Sequence, residues 1–173
     1  MEYQTVYDVT QQGYSWWWLL IPAFILAVGL ASWKAREKFG PQLKLPSYAR
    51  AIGSFALGLG LLLTLCITTL GLTISYTGYV NAKQILQTGK AQLVEGRVEN
   101  FAPQPAFDNG LESFMVSSVK FEYSIAWISH GFNKSSTHGG PIDRDGIQVR
   151  IHYYYDQSES RNVILQLEVM KQP

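Results

Sequence analysis

Cysteine is almost missing from this chain. Cys66 is the single thiol among 173 residues, which excludes a disulfide framework. Net charge is also scarce: 14 Lys and Arg face 13 Asp and Glu, so there is no global basic surface for nucleic acid. Hydrophobic residues make up 47%, the 15 glycines follow no period, and heptads are absent. That composition excludes disordered, collagenous and coiled-coil classes. Glycine-rich phosphate loops, paired-carboxylate signatures and redox cysteine pairs are missing too, so no catalytic constellation can be read.

Charge is missing altogether from two stretches, Trp16–Trp33 and Ala51–Val80. A hydrocarbon core about 30 Å thick needs about 20 helical residues. The first run just reaches that length, and the second has a turn or two to spare. A soluble core hairpin is the competing reading, but the roughly 90 remaining residues are too few to bury two such helices on all sides. A signal peptide is the other. It needs a basic n-region, whereas residues 1–15 hold no Lys or Arg and the cluster Lys34, Arg36, Lys38 follows the run at once. Two transmembrane helices are therefore expected, at 16–33 and 51–80.

The segment 34–50 carries Lys34, Arg36, Lys38, Lys44 and Arg50 against one acid, Glu37, while the first 15 residues carry Glu2 and Asp8. Basic residues stay on the cytoplasmic side, so the 34–50 loop is expected inside and both termini outside a plasma membrane, the inner membrane in a bacterium. Tyr14, Trp16, Trp17 and Trp18 then anchor the outer end of the first helix and Trp33 its inner end, with Tyr76 and Tyr79 at the outer end of the second. Small residues recur every four positions at Ala23, Ala27 and Ala31, and again at Ala56, Gly60, Thr64 and Thr68. Such stripes allow close helix packing in lipid, either with each other or with another protomer.

Beyond the spans the pattern changes. Residues 81–91 read as a short helical linker ended by Gly89, and 92–173 as an extracytoplasmic β-domain. Gln92–Phe101 reads as a strand bent or bulged at Gly96, and Glu112–Val116 and Val119–Ser124 as a hairpin about Ser117-Ser118. Asp143–Gly146 reads as a turn. Ile147–Tyr155 and Asn162–Met170 alternate, the latter placing Val163, Leu165, Leu167 and Val169 on one face. The expected fold is α+β: a two-helix transmembrane hairpin plus a small, mostly antiparallel five-stranded sheet or partly open barrel.

The candidate functional segment is the 131–142 loop. His130 and His138 lack the close, repeated ligand spacing of zinc sites, so no metal or cofactor is expected. Ser135, Ser136 and Thr137 beside His138 put hydroxyls next to an imidazole, but the Gly-x-Ser-x-Gly elbow of esterases is missing. A hydrolase or ligand receptor would need a serine hydroxyl bonded to the His138 ring in a concave pocket, with Asp143 nearby. The loop reads better as an interaction loop through Phe132, Asn133, Ser135, Ser136 and His138, and His138→Ala and Ser136→Ala are then expected to leave folding intact. Trp127, Phe132, Tyr153, Tyr154 and Tyr155 add aromatic surface or core.

The stretches VEGRVENFAPQP (94–105), ESFMVSSVKFEYS (112–124), GFNKSSTHGGPI (131–142), GIQVRIHYY (146–154) and NVILQLEV (162–169) carry a resemblance. Over residues 92–170, about half the chain, they resemble the bacterial membrane-anchored domains of unknown function of the DUF3592 type. Those pair a membrane hairpin with a VEG-V strand, an F-Y strand, a glycine turn before V-I-Y and a closing I-L-LE strand. The resemblance implies fold and topology and no activity, so no catalytic residue is carried over. The expectation is a non-enzymatic protein of the lipid bilayer. Its β-domain meets other membrane proteins or a second copy, and not nucleic acid.

Overall fold

The computed structural model describes residues 2–14, 16, 19–39, 46–105, 110–125 and 130–171. Trp17, Trp18 and Trp127, read above as anchors or surface aromatics, lie outside these residues, as does Lys44 of the basic loop. The chain forms two compact units, residues 14–76 and residues 1–13 with 77–173.

The first unit holds helix α1, Leu20–Phe39, and most of α2, Ser47–Gln87. α2 is long and apolar enough to cross a membrane over Ala51–Gln87, whereas the apolar part of α1, Leu20–Ala35, is shorter. The two helices run antiparallel. Tyr14 donates to Ser75 at 3.0 Å and stacks edge-on against Tyr76, the Gly29 backbone receives Leu61, and the Trp33 ring lies beside Gly58. The covered side of α1 is Pro22, Leu26 and Gly29, and that of α2 includes Leu61, Thr64 and Thr68. The small-residue stripes are not the packing face within one chain. Ala23, Ala27, Ala31, Ala56 and Gly60 are exposed, and a Cβ on Gly60 meets nothing. Of the two stripes, Thr64 and Thr68 are on the covered side.

α2 does not stop where the hydrophobic run does. It continues through the expected linker to Gln87 and ends at Gly89, whose positive φ of 69° lets the Lys90 N–H return to the Ile85 carbonyl at 3.1 Å.

The second unit is one antiparallel sheet of six strands, not five. The added strand is β1, Tyr3–Asp8, in the segment read as a free tail. With β2 (Gln92–Ala102), β3 (Glu112–Val116), β4 (Val119–Tyr123), β5 (Gln148–Asp156) and β6 (Arg161–Met170), the order is β1-β6-β5-β2-β3-β4. The first and last strands of the chain are thus hydrogen-bonded neighbours, Tyr3 opposite Met170 and Asp8 opposite Gln166.

A bulge in β6 corrects the simple alternation. His152 pairs with Gln166 and Tyr153 with Ile164, so Leu165 is the extra residue. Ile164 and Leu167 therefore face the main core, while Leu165 turns to the other side and packs with Val9 and with Ala82 of α2. The main core is an aromatic chain set among Val98, Val149 and Ile151. Tyr7 meets Phe132 edge-on at 5.4 Å, Phe132 meets Tyr123 at 5.2 Å, and Phe121 meets Tyr153 at 5.3 Å. Phe132, expected at an interaction surface, is a core residue at 5% exposure.

The sheet curls. Asn100 has φ 53° where β2 shifts register between Glu99 and Ala102, and Asn162 of β6 donates to the Lys120 carbonyl of β4 at 2.9 Å. Gly96 is no bulge: pairing with β5 runs unbroken from Gln92 to Arg97. Its hydrogen instead makes room for Ser117, whose hydroxyl a Cβ there would meet at 2.6 Å. Ser117 and Ser118 both have positive φ, which closes the expected two-residue hairpin.

Loop 130–132 is held on β6. The Phe132 N–H donates to the Ile164 carbonyl at 2.9 Å, and a Cβ on Gly131 would collide with that same oxygen. Because the obstacle is backbone, Gly131→Ala is expected to cost about 1–3 kcal/mol. Ile151→Ala and Leu165→Ala, which empty the two cores separately, are expected to cost about 2–4 kcal/mol each. Denaturant unfolding of the full chain followed by near-ultraviolet circular dichroism checks all three.

Candidate functional site

The 131–142 loop is organised around a buried carboxylate. Glu112 opens β3 with no exposure to solvent. Its Oε1 accepts the Tyr123 hydroxyl at 2.7 Å, and its Oε2 accepts the Ser136 hydroxyl at 2.6 Å and the Ser136 N–H at 2.9 Å. A buried charge without its hydrogen bonds is strongly unfavourable, and here three donors replace water. Burial, reinforced by the bond to Glu112, pushes the Tyr123 phenol well above its ordinary range, so it remains a donor.

Ser136 begins the short 3-10 turn Ser136–His138. Within it, Ser135 Oγ lies 2.9 Å from His138 Nδ1 and 3.0 Å from Thr137 Oγ1. The turn closes when the Gly140 N–H donates to the Ser135 carbonyl at 2.8 Å, with Gly139 at φ 76°. The serine–imidazole contact required of a hydrolase is therefore present, but its setting is unfavourable for attack on a substrate. Ser135 is fully buried. The buried carboxylate of Glu112 bonds Ser136 and Tyr123 and not the imidazole. Asp143 lines a separate cleft. Ser136, expected to be dispensable for folding, ties the loop to the sheet through Glu112. The exposed residues of the loop are Lys134, Thr137, His138 and Gly139, with Asn133 half-buried.

His130 stands apart from His138. Its ring lies on the bare backbone of Gly78 in α2, where a Cβ would collide with it. Burial holds His130 below the usual histidine range. Glu159 and Asp156 oppose that shift, and Arg161 adds to it.

A second site lies elsewhere on the β-domain. A cleft of about 680 Å³ opens where the start of β1, the middle of β2, the start of β5 and the end of β6 meet the 141–147 turn. Ile147, Val169, Met170 and Pro141 form its apolar part, and Arg97, Arg144, Lys171, Glu95 and Asp143 its charges. Glu95 accepts the Tyr3 hydroxyl at 2.7 Å and the Arg150 guanidinium at 2.9 Å. The Tyr3 bond first, then Arg150, keeps its carboxyl below the usual range, so it stays charged and paired. Arg150 also stacks on the Tyr3 ring, 4.3 Å from its centre.

Sequence reasoning missed Glu112, Tyr3, Glu95 and Arg97. Glu112 looks like any charged residue at a strand end. The cleft depends on β1, whose Tyr-Gln-Thr-Val-Tyr composition is a strand signal in its own right. The chain matches no protein-family model, no curated protein and no solved structure.

Ser136→Ala removes one of three donors from a buried carboxylate and is expected to destabilise the domain by about 1–3 kcal/mol, whereas His138→Ala, at an exposed ring, is expected to stay within about 0.5 kcal/mol. Equilibrium unfolding of the two variants side by side checks the difference. For His130 the sign follows from its lowered value in the fold. The folded state disfavours the proton, so stability contributed by the neutral ring is present above pH 6.5 and lost as pH falls through that range. Wild type is expected to lose stability between about pH 7.5 and 5.5, and His130→Gln to flatten that slope.

Proposed function

We propose that this chain is a two-span membrane protein that holds its β-domain outside the cytoplasm, where the domain makes protein–protein contacts without catalysis. The observation that carries the reading is the pairing of β1 with β6. Residues 3–8 precede both helices and residues 161–170 follow them, yet they share one sheet. A bilayer cannot divide a hydrogen-bonded sheet, so the chain between residues 13 and 77 returns to the side it left. If α2 crosses, a second crossing is required. α1 is placed to supply it: its apolar part, Leu20–Ala35, reaches about 24 Å, a length that a locally thinned bilayer accommodates. The basic segment between the helices then lies in the cytoplasm and both termini outside. The antiparallel contacts of α1 with α2 agree with a hairpin.

The contact role rests on the site geometry. The 131–142 loop spends Glu112, Ser135 and Ser136 on its own structure. Its exposed portion, with His138, is a surface and not a catalytic pocket. Partners are other membrane proteins or a second copy of this chain. The exposed Ala23, Ala27, Ala31, Ala56 and Gly60 leave room for close helix contact in the bilayer.

Impermeant maleimide labelling in intact cells tests the topology, with single cysteines on a Cys66→Ala background. Gln4→Cys and Gln157→Cys are both expected to label before lysis, and Gln42→Cys after lysis alone. Labelling of Gln4→Cys and Gln157→Cys from opposite sides would overturn the paired-termini argument. Labelling of both only after lysis would reverse the orientation. Cross-linking in the same cells is expected to recover this chain in complexes; recovery at monomer mass alone would refute the contact role.

A further inference from the structure

We propose that the cleft formed by β1, β2, β5, β6 and the 141–147 turn binds a small soluble amphipathic anion, a carboxylate or phosphate ester carrying a short apolar body. Ligand sites combine an apolar wall with a few polar groups that fix orientation, in volumes of about 300–1,000 Å³. This cleft has about 680 Å³ and that composition.

The polarity follows from which charges remain available. Glu95 is consumed by Arg150 and Tyr3. Lys171 pairs with Glu2 at 3.4 Å, and Arg144 with its neighbour Asp143 at 3.9 Å. Among the described residues, the Arg97 guanidinium has no ion-pair or hydrogen-bond partner. Arg97 faces Gln148 across the β2–β5 ladder, so an unspent planar cation stands beside a neutral amide at the cleft. An arginine fork matches a carboxylate or phosphate in a two-point contact. Met170 and Ile147 supply the wall for the apolar body.

A free ligand is favoured over a lipid headgroup by the position in the sheet. α2 packs on the sheet at Leu165, and the cleft opens at Met170, five residues further along β6 or about 17 Å.

The test uses the full chain in nanodiscs with methyl-labelled methionine, since Met170 lines the cleft and Met115 on β3 does not. Butanoate titrated to about 50 mM, enough to saturate a millimolar site, is expected to shift Met170 and leave Met115 in place. Butylammonium, the same chain with opposite charge, is expected to shift neither. Arg97→Gln is expected to weaken butanoate by about tenfold while both methionine signals keep their unliganded positions. Exchanging neutral for anionic lipid without butanoate is expected to leave Met170 unmoved. The proposal is overturned if Met170 ignores butanoate, if butylammonium acts equally, or if Arg97→Gln binds butanoate as wild type does. Movement of Met170 with anionic lipid would replace the soluble ligand by a headgroup.

Discussion

The backbone of β6 is shared by everything around it. Its C-terminal half pairs with β1, and its N-terminal half accepts the Phe132 and Val9 amides through the carbonyls of Ile164 and Leu165. Its other edge carries β5. Because Leu165 is bulged, neighbouring side chains on this strand enter opposite cores, Ile164 among the strands and Leu165 against α2. A single strand thereby ties the start of the chain, the emerging helix and the long loop to one ladder. Backbone groups on a buried strand must be paired, which makes these attachments obligatory and not incidental.

That constraint also sets what the functional candidates can do. The 131–142 loop is pinned at Phe132 on one side and at Ser136 on the other, where Glu112 waits with a buried charge. A loop held at both ends by buried groups presents a defined surface and has little freedom to open for chemistry. The cleft has the reverse character. Its charged residues are exposed, in β2, in the 141–147 turn and just past β6, and among the described residues one of them, Arg97, has no ion-pair partner. The same sheet thus spends its interior polar groups on structure and keeps the charges of the cleft at its surface.

Much of this was legible in the residues. The apolar runs, the Gly89 helix stop, the Ser117-Ser118 hairpin and the alternation of Ile147–Tyr155 all follow from local chemistry or from period-two patterning, which operate within a few residues. The departures share a different origin. Leu165 was placed with Leu167 because alternation has no way to register a bulge, which depends on the partner strand. Gly96 looked like a bend, yet its missing side chain admits Ser117 from the β3–β4 turn. Phe132 looked like surface in a polar loop, but the Tyr7 and Tyr123 rings, from distant segments, pack against it.

The sequence alone determined where charge is forbidden, where the two apolar runs lie and which of the later strands have a buried face, because each depends on the residue and its near neighbours. The tertiary structure decided that residues 3–8 edge the sheet, that Glu112 is interior, and that Arg97 stands opposite Gln148 with no ion-pair partner among the described residues. Those outcomes require segments up to 169 positions apart, such as Glu2 and Lys171, to meet. No local preference encodes such a meeting. It is selected by the pairing of backbone groups and the burial of side chains over the whole sheet at once.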